Sequence, residues 1–226
     1  MVVNVYVVGK DCIDHLKVFI DHYFKCFPGC NVYYFDNQST DNSLHYAKER
    51  GAITDSFYNY DEDNLKNFKN EIWKKHPGDW NIVCDIDELL NIDQLEVSSL
   101  PEDVNIICSR GWQVHADNPK LFYKSSLYNK CIMFKSSVDE INYSYGAHEV
   151  RPVNAVYAKK KYILKHMGFR KLKLTSVDIE HMRNNQPANI HRLYTLYTKE
   201  RKIIHVILYT DYVKTYITGN EKLVAL

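Results

Sequence analysis

The stretch Trp80-Asn81-Ile82-Val83-Cys84-Asp85-Ile86-Asp87-Glu88 places two carboxylates, one residue apart, directly after an apolar run. The run predicts a buried strand over residues 80–84, so Asp85 and Asp87 should lie at the C-terminal edge of a sheet. In an open α/β sheet, this edge is where ligands bind. Two carboxylates so close repel each other unless a positive charge lies between them. A divalent metal that carries a phosphorylated substrate would supply that charge.

Upstream of this stretch, strand and helix patterns alternate, which predicts an α/β fold with a mostly parallel sheet and helices on its faces. The predicted strands are 2–8, 31–35, 52–55 and 80–84, and the predicted helices are 11–27, 39–51 and 64–72. Downstream, strands are predicted at 104–109, 130–134, 154–158 and 161–165. A helical C-terminal segment is predicted over about 175–218, followed by a tail or linker stub at 219–226.

The composition of the 226-residue chain is that of an ordinary globular protein, and its length suits one domain. Acidic and basic residues nearly cancel, to a formal charge of +1, so no overall field favours nucleic acid or an anionic membrane. No run reaches the roughly 18 apolar residues of a membrane span. Residues 1–5 lack the basic start of a signal peptide. We therefore expect a soluble, cytoplasmic protein.

The cysteines are scattered without a CxxC pair, and several lie inside apolar runs. They are Cys12, Cys26, Cys30, Cys84, Cys108 and Cys131. This pattern predicts reduced core residues in a reducing compartment. A disulfide that involves Cys26 or Cys30 is the alternative.

Two other polar segments are candidates for function. Asp61-Glu62-Asp63 has the same spacing as the 85–88 segment, but it precedes a helical pattern and is best interpreted as an acidic helix N-terminus. The segment 33–43 contains a strand that ends at Asp36, followed by short polar residues that can cap a helix. Asp36 could accept a hydrogen bond from a ribose hydroxyl or a base N–H, and Asn37 is a second ligand candidate.

A family resemblance follows from these segments in their order. The chain contains a strand, then the run Asp36-Asn37-x-Ser39-Thr40-Asp41-x-Ser43 and a helix, and about forty residues later it contains Trp80-x-x-x-x-Asp85-x-Asp87-Glu88. This order of segments resembles the nucleotide-sugar-binding half of GT-A glycosyltransferases. Members with the Asp-x-Asp-Glu extension are most similar. The chain also resembles the small GT-A module with which large algal viruses glycosylate their capsid protein, and a viral chain would act in the host cytoplasm. The resemblance covers residues 2–90 well and the remainder loosely.

The resemblance implies a Rossmann-like GT-A domain over residues 1–218. Its nucleotide-sugar half would span about 1–90, its acceptor and metal half about 91–175, and its C-terminal helices about 175–218. It also implies a UDP-sugar donor, Mn²⁺ or Mg²⁺ as cofactor, and a glycan or glycoprotein acceptor. The chain could be one domain of a longer polypeptide.

The resemblance also implies roles for individual residues of the donor half. The end of the first strand would lie beside base and ribose, and the residues concerned are Val8, Gly9, Lys10 and Asp11. Asp36 and Asn37 would contact the nucleoside, and Lys66 or Asn70 would face the donor from its helix. Asp85 would bind ribose or a metal-bound water and Asp87 the metal itself, with Ile86 between them. Lys10, Lys66 and Asn70 have solvated surface positions as the alternative.

A further metal ligand and positive charges are expected downstream. His166 follows the apolar strand residues 162–164, and the surrounding sequence resembles a His-x-x-Gly-x-x-Lys stretch in which histidine binds metal and lysine binds diphosphate. The glycine, Gly168, falls one place early here. Arg170 and Lys171 are candidate counter-charges for the leaving diphosphate, with solvated side chains as the alternative.

The acceptor side is expected to supply a base, because an inverting transfer must remove the proton of the acceptor hydroxyl. Glu149 in a glycine-containing turn is one candidate, and Asp139 and Glu140 are rivals. Each could instead be an exposed loop charge. Trp112 could stack on a sugar or anchor the core.

The leading hypothesis is thus a metal-dependent hexosyl- or deoxyhexosyltransferase. A phosphohydrolase or nucleotidyltransferase also uses acidic pairs at strand ends with Mg²⁺, but the first strand lacks the acidic pair of the former and the glycine-rich loop of the latter. A non-catalytic module that binds nucleotide sugars or glycans is the third hypothesis.

Overall fold

The computed structural model describes residues 1–76, 78–115 and 118–168, together with 192–197, 203–208, 213–218 and 223–225. The strands are β1 (Val3–Gly9), β2 (Asn31–Asp36), β3 (Ile53–Ser56), β4 (Trp80–Val83), β5 (Glu88–Asn91), β6 (Ile106–Ile107), β7 (Ser109–His115), β8 (Asn118–Lys124), β9 (Met133–Lys135), β10 (Tyr162–His166), β11 (Arg192–Tyr197), β12 (Ile203–Leu208), β13 (Val213–Thr218) and β14 (Leu223–Ala225). The helices are α1 (Ile13–Cys26), α2 (Ser43–Glu49), α3 (Glu62–Lys75) and α4 (Gln94–Ser98), with short 3₁₀ turns at Ser126–Tyr128 and Tyr145–Ala147.

The central sheet has the strand order β3-β2-β1-β4-β9-β6. The first four of these strands are parallel, whereas β9 runs antiparallel to β4 and β6 antiparallel to β9. Parallel strands need a crossover between them, and α1, α2 and α3 supply it. The predicted α/β class with a mixed, mostly parallel sheet is therefore confirmed.

Both faces of the central sheet are buried, and side-chain alternation along β1 shows how. Val3, Val5 and Val7 pack into one core cluster with α1, whereas Tyr6 packs into a second cluster with α3. At the start of α3, the Asp61 carboxylate accepts a hydrogen bond from the Asn64 backbone N–H at 2.7 Å. Asp61 is thus the N-cap of a helix, as the sequence indicated for this second acidic segment.

A second sheet, ordered β14-β8-β7-β10-β5, brings the downstream residues to the acidic segment. β10 pairs with β5 in antiparallel register, which places His166 opposite Glu88. β10 also runs parallel to β7 on its other side. The strand-end position predicted for His166 is thus next to the carboxylates that follow β4.

Several sequence predictions require correction. Residues 192–197, 203–208 and 213–218 form an antiparallel three-stranded sheet instead of helices, because the aromatic and β-branched residues in these short segments also favour strand pairing. Residues 154–158 form no strand, and only Tyr157 makes a bridge, to Ile106. The predicted tail contains β14, which pairs with β8. Within 175–218 the structure describes only these three strands, so the rest of the predicted helical segment lies outside the described residues.

The cysteine prediction also changes. Cys108 and Cys131, 23 residues apart, form a disulfide, whereas the sequence predicts both as reduced core residues. The hairpin of β7 and β8 lies between them, and a pairing through a hairpin leaves no signal in sequence spacing. The other four cysteines are free thiols. Among the described residues, no helix has the length and apolarity to cross a membrane.

Candidate functional site

The C-terminal ends of β1 and β2 form one side of the candidate site. Gly9 lies opposite Asp36 in the parallel register, and the Asn37 N–H donates a hydrogen bond to the Gly9 carbonyl at 2.8 Å. A Cβ atom on Gly9 would approach Cys12 Sγ to 2.6 Å, so only glycine fits here. Val8 is half-buried and Lys10 is exposed. The residues predicted to surround the nucleoside are thus brought together at one edge.

The loops that follow these two strands are tied to each other by acidic side chains. Asp11 Oδ1 accepts hydrogen bonds from the backbone N–H groups of Thr40 at 2.6 Å and Asp41 at 3.1 Å. The Thr40 backbone donor is the main cause that lowers the pKa of Asp11. The buried Asp36 accepts hydrogen bonds from the Ser39 N–H at 3.1 Å and the Tyr34 hydroxyl at 3.3 Å. Both carboxylates therefore order the loops themselves, whatever else they bind.

Asp85 is bound by two lysines. Its Oδ1 lies 2.6 Å from Nζ of Lys69 on α3, and its Oδ2 lies 3.1 Å from Nζ of Lys130, which precedes β9. Side-chain exposure is 5% for Lys69, 2% for Lys130 and 36% for Asp85. The first carboxylate of the motif thus already has its positive partners, and they come from the protein.

Glu88 completes this cluster, and we call Lys69, Asp85, Glu88 and Lys130 the ion network. The side chain of Glu88 has no exposure, and its Oε1 lies 2.5 Å from Lys130 Nζ. Its Oε2 accepts a hydrogen bond from the Asp85 backbone N–H at 3.0 Å. When all four groups are ionised, two carboxylates face two ammonium groups and the formal charges cancel.

The pKa shifts in the ion network follow from burial and these contacts. Burial raises the pKa of Glu88 above its ordinary value, and the Lys130 ammonium offsets part of the rise. Burial acts in the same direction on Asp85, but Lys69 and Lys130 outweigh it and hold the pKa of Asp85 well below its usual range. Burial tends to lower the pKa of Lys130, but Glu88 and Asp85 raise it well above the ordinary value. Asp85 and Lys130 therefore remain charged at neutral pH.

Asp87 has a different environment, and we call its contact with histidine the Asp87–His166 pair. Asp87 Oδ2 lies 3.3 Å from His166 Nε2, with side-chain exposures of 20% and 5%. The Asp87 backbone carbonyl accepts a hydrogen bond from the Met167 N–H at 2.6 Å. No lysine ion pair to Asp87 is found among the described residues. The second carboxylate thus points toward a potential metal ligand instead of an ammonium group.

Neighbouring residues fix the position of His166. The Tyr128 ring stacks on the imidazole with a centroid separation of 3.8 Å. Tyr128 can approach because Gly111 on β7 has no side chain, since a Cβ there would lie 2.5 Å from the Tyr128 backbone carbonyl carbon. A Cβ on Gly168 would overlap Asp87 Oδ2 and lie 2.8 Å from His166 Cε1. The glycine that falls one place early in the sequence motif therefore has a steric role against the pair itself.

The α3 residues predicted to face the donor have other contacts. Lys66 Nζ lies 3.2 Å from Asp63 Oδ1 and 4.2 Å from the centroid of the Tyr145 ring. Asn70 donates to the Tyr143 carbonyl at 3.3 Å and accepts from the Tyr143 N–H at 2.7 Å. Asn70 thus joins α3 to the segment that contains the acceptor-side candidates, and Lys69 is the α3 residue that reaches the acidic motif.

The three residues predicted as bases on the acceptor side are all exposed. Glu149 is exposed, and its backbone N–H is bound by Ser144 Oγ at 3.0 Å. Asp139 is exposed and accepts a hydrogen bond from the Asn154 amide, and Glu140 is exposed as well. Arg170 and Lys171 lie outside the described residues.

Sequence reasoning did not identify Lys69, Lys130 or Glu88 as site residues. A signal for Lys69 existed, because it lies between Leu65 and Ile72 at helical spacing and so falls on the buried face of α3. A lysine on the apolar face of a helix is buried on folding, and a buried ammonium group needs a partner such as a carboxylate. Lys130 precedes an apolar run and gives no comparable signal.

The donor set of the Asp87–His166 pair suits a divalent ion. Among the described residues, no group of three or more His, Cys, Asp or Glu side chains is arranged to hold a metal. A carboxylate and an imidazole together provide two ligands, and diphosphate oxygens and waters can complete the coordination of Mn²⁺ or Mg²⁺. Asp85 fits a metal less well, because each of its oxygens already contacts an ammonium group.

The sequence matches no protein-family profile. No curated protein matches it either. Among solved structures, TarS 1–349 from S. aureus with UDP-GlcNAc is similar, with a TM-score of 0.47 and 13% identity over 81% of this chain and 65% of that chain. Mannosyl-3-phosphoglycerate synthase from Rubrobacter xylanophilus has a TM-score of 0.46 and 11% identity, over 99% of this chain and 86% of that chain.

Mannosyltransferase PcManGT from Pyrobaculum calidifontis, in complex with GDP-Man and Mn²⁺, has a TM-score of 0.35 and 13% identity, with 47% of this chain and 34% of that chain covered. The chain thus spans about a third of the length of this mannosyltransferase and just under two thirds of TarS 1–349. With likenesses this low, function has to be inferred from the site residues.

Proposed function

We propose that this chain is a metal-dependent glycosyltransferase of the GT-A type that moves a hexosyl or deoxyhexosyl group from a UDP-sugar to a glycan or protein-linked acceptor. The observation that carries the proposal is the Asp87–His166 pair, 3.3 Å apart and just beyond β4, at the same sheet edge where the parallel strands β1 and β2 end. The proposed domain spans residues 1–218, and a place as one module of a longer, virus-encoded polypeptide remains part of the sequence-based hypothesis.

In this proposal, the donor's nucleoside lies against residues 8–11 and Asp36-Asn37. Val83 on β4 is opposite Tyr6 on β1, so Asp85, two residues further on, stands close to the level of Val8. Asp85 is partly exposed, and a carboxylate has about four lone-pair sites, so it can still accept a hydrogen bond from a ribose hydroxyl while it binds both lysines.

Asp87 and His166 would hold the metal, whose charge when bound offsets the charge that develops on the leaving diphosphate. An imidazole ligand favours Mn²⁺ over Mg²⁺, because Mg²⁺ prefers oxygen ligands throughout. Arg170 and Lys171 are proposed as additional counter-charges. Glu149 is the proposed base for the acceptor hydroxyl, with Asp139 as its rival, since both are exposed and can meet an acceptor.

The first experiment is a thermal-shift screen of UDP, GDP and CDP, each with and without Mn²⁺. A ligand that binds only the folded state raises the melting temperature, so we expect a shift with UDP that requires Mn²⁺. Asp87→Asn should abolish the Mn²⁺-dependent part and leave the protein folded. Asp14→Asn, on the exposed face of α1, is the matched surface control and should behave as the parent does. The absence of any nucleotide-dependent shift would contradict the proposal.

Turnover separates the transferase from the alternatives. With UDP-sugars and Mn²⁺, a transferase slowly transfers the sugar to water and releases UDP even without its acceptor, and it releases UDP faster when the acceptor is present. A phosphohydrolase would instead break the diphosphate linkage and release UMP and a sugar 1-phosphate, and a binding module would release neither UDP nor UMP. Release of UMP and a sugar 1-phosphate, or binding without UDP release under any acceptor tried, would replace the leading proposal by one of the other two.

A further inference from the structure

The turn from Asp85 to Glu88 carries the proposed metal ligand Asp87, and Lys130 contacts both ends of that turn. Lys130 Nζ lies 3.1 Å from Asp85 Oδ2 and 2.5 Å from Glu88 Oε1. Glu88 Oε2 in turn accepts the Asp85 N–H. The Glu88 N–H also donates to the Asp85 carbonyl at 3.0 Å. The turn is therefore closed three times, by this backbone hydrogen bond, by the bond from the Asp85 N–H to the Glu88 side chain, and by one ammonium group that bridges the two carboxylates.

Lys130 is itself held from outside the turn. The Ser109 backbone N–H and the Ser109 hydroxyl both donate to the Lys130 carbonyl, each at 2.7 Å. The next residue, Cys131, is joined to Cys108 by the disulfide, and its carbonyl accepts the Tyr143 hydroxyl at 3.0 Å. Lys130 thus has a fixed backbone and a side chain with 2% exposure. It can impose a position on the turn instead of adapting to it.

Lys69 makes a useful contrast within the same network. Its ammonium group contacts Asp85 Oδ1 at 2.6 Å, and no contact with Glu88 is found among the described residues. Lys69 therefore neutralises charge at one end of the turn, whereas Lys130 joins the two ends. Both lysines are almost fully buried, so they differ mainly in this geometry.

We propose that Lys130 is a positioning residue for the metal site, a role that rests on the proposed metal-dependent transfer. It closes the turn so that Asp87 is directed toward His166, and it occupies Asp85 Oδ2 so that Asp85 stays out of the metal's coordination shell. The metal would therefore be held by Asp87 and His166, one carboxylate and one imidazole. Lys130 acts through Asp85 and Glu88 and contacts neither the metal nor the sugar.

The test compares Lys130→Met with Lys69→Met, because each removes one buried ammonium group and keeps most of the side-chain volume. The affinity for Mn²⁺ is measured in the presence of saturating UDP, and the affinity for UDP is measured without metal. Both are measured well below the melting temperature of the less stable variant. Loss of a residue that orients a metal ligand typically weakens metal binding about 10- to 100-fold. We expect a loss of that size in Lys130→Met and less than about threefold in Lys69→Met.

Affinity for UDP without metal should be the same in both variants and the parent. A purely structural role would lower the melting temperature and leave the ratio of metal-dependent to metal-free affinity unchanged, and that outcome would overturn the proposal. Equal Mn²⁺ losses in the two lysine variants would overturn it too. If the parent binds no Mn²⁺ with UDP or with GDP, the proposed function fails and this inference fails with it.

Should Lys130→Met not fold, Glu88→Gln gives the same answer. Glutamine keeps the side-chain shape but can satisfy only one of the two contacts that Glu88 makes, with Lys130 Nζ and with the Asp85 N–H. A Mn²⁺ affinity about tenfold or more below that of the parent is expected. A parent-like affinity in folded Glu88→Gln would overturn the proposal.

Discussion

The ion network and the Asp87–His166 pair meet at one short turn, yet they give its two aspartates opposite environments. Asp85 binds the ammonium groups of Lys69 and Lys130, whereas Asp87 contacts an imidazole. The network satisfies its charges inside the protein. The pair brings a carboxylate and an imidazole together, and both are side chains that a divalent cation can bind.

This difference shows that the Asp-x-Asp spacing alone does not determine which of the two carboxylates already has ammonium partners and which is available to a metal. Alternation along the turn gives the two aspartates different neighbours, and those neighbours come from distant parts of the chain. Asp85 meets α3 and the segment before β9, and Asp87 meets the end of β10. The network is therefore expected to matter most for stability and the pair most for binding.

The largest expected effect is the stability loss in Asp85→Asn. The amide leaves the buried Lys69 ammonium group without its carboxylate and leaves Lys130 with Glu88 alone, and breaking a buried ion pair from one side costs about 3–5 kcal/mol. Because Asp85 is partly exposed, solvent screens some of this, and we expect about 2–4 kcal/mol by urea unfolding. Asp87→Asn should stay within about 1 kcal/mol of the parent. Equal losses in the two variants would remove the distinction between network and pair.

The second effect concerns the disulfide next to Lys130. A bridge that closes a loop of 23 residues typically stabilises by about 3 kcal/mol, because it restricts the conformational freedom of the unfolded chain. Reduction, or the double substitution Cys108→Ala with Cys131→Ala, should therefore lower the free energy of unfolding by about 2–3 kcal/mol. Ser109 still holds the Lys130 carbonyl, so Mn²⁺ affinity should fall less than in Lys130→Met. A parent whose stability is insensitive to reductant would contradict this prediction.

These two regions also show what the sequence can and cannot predict. The strand before Asp85 and the helix N-cap at Asp61 are local, because residue type and period along the chain determine them. The partners of Asp85 and Asp87 are 16 to 79 residues away along the chain, and no periodic pattern encodes which side chain arrives. His166 could be predicted because it follows an apolar strand and because its surroundings resemble a known motif. Lys130 belongs to no recognisable motif or periodic pattern, so the sequence did not identify it.

The secondary-structure prediction for the C-terminal segment was wrong for a related reason. The run 203–208 is short and apolar except for His205, so its pattern fits a helix face and a buried strand equally well. Pairing with β11 and β13 decides in favour of the strand, and pairing is a long-range property. The segment 88–91 likewise becomes β5 because β10 lies beside it.

A smaller effect is expected when Gly168 is replaced by alanine. The added methyl group would overlap Asp87 Oδ2, so it should push the carboxylate away from His166 and weaken Mn²⁺ binding in the presence of UDP by severalfold. Gly78→Ala is the matched control, since its methyl group would meet the Asn4 side chain at 2.7 Å, away from the pair. We expect both variants to lose about 1–3 kcal/mol of stability, and only Gly168→Ala to lose metal affinity. Parent-like Mn²⁺ affinity in Gly168→Ala would show that Asp87 can move without consequence.

The smallest effect is the pH dependence of stability within the ion network, because its two carboxylates shift in opposite directions. The lowered pKa of Asp85 means that its ionised form stabilises the fold above the ordinary value of 3.8, and this stabilisation is lost as pH falls below about 4. The raised pKa of Glu88 means that the folded state gains a proton more readily than the unfolded state, so acidification toward 4.5 favours folding.

Urea unfolding of the metal-free parent, Asp85→Asn and Glu88→Gln between pH 3 and pH 7 measures both contributions. The stability difference between parent and Asp85→Asn should be constant down to about pH 5 and shrink below about pH 4. The parent should gain relative to Glu88→Gln as pH falls from 7 toward 5, which gives the second difference curve the opposite slope. Two curves of the same slope would mean that Lys130 binds both carboxylates alike, and the turn would then lack the asymmetry that separates its two ends.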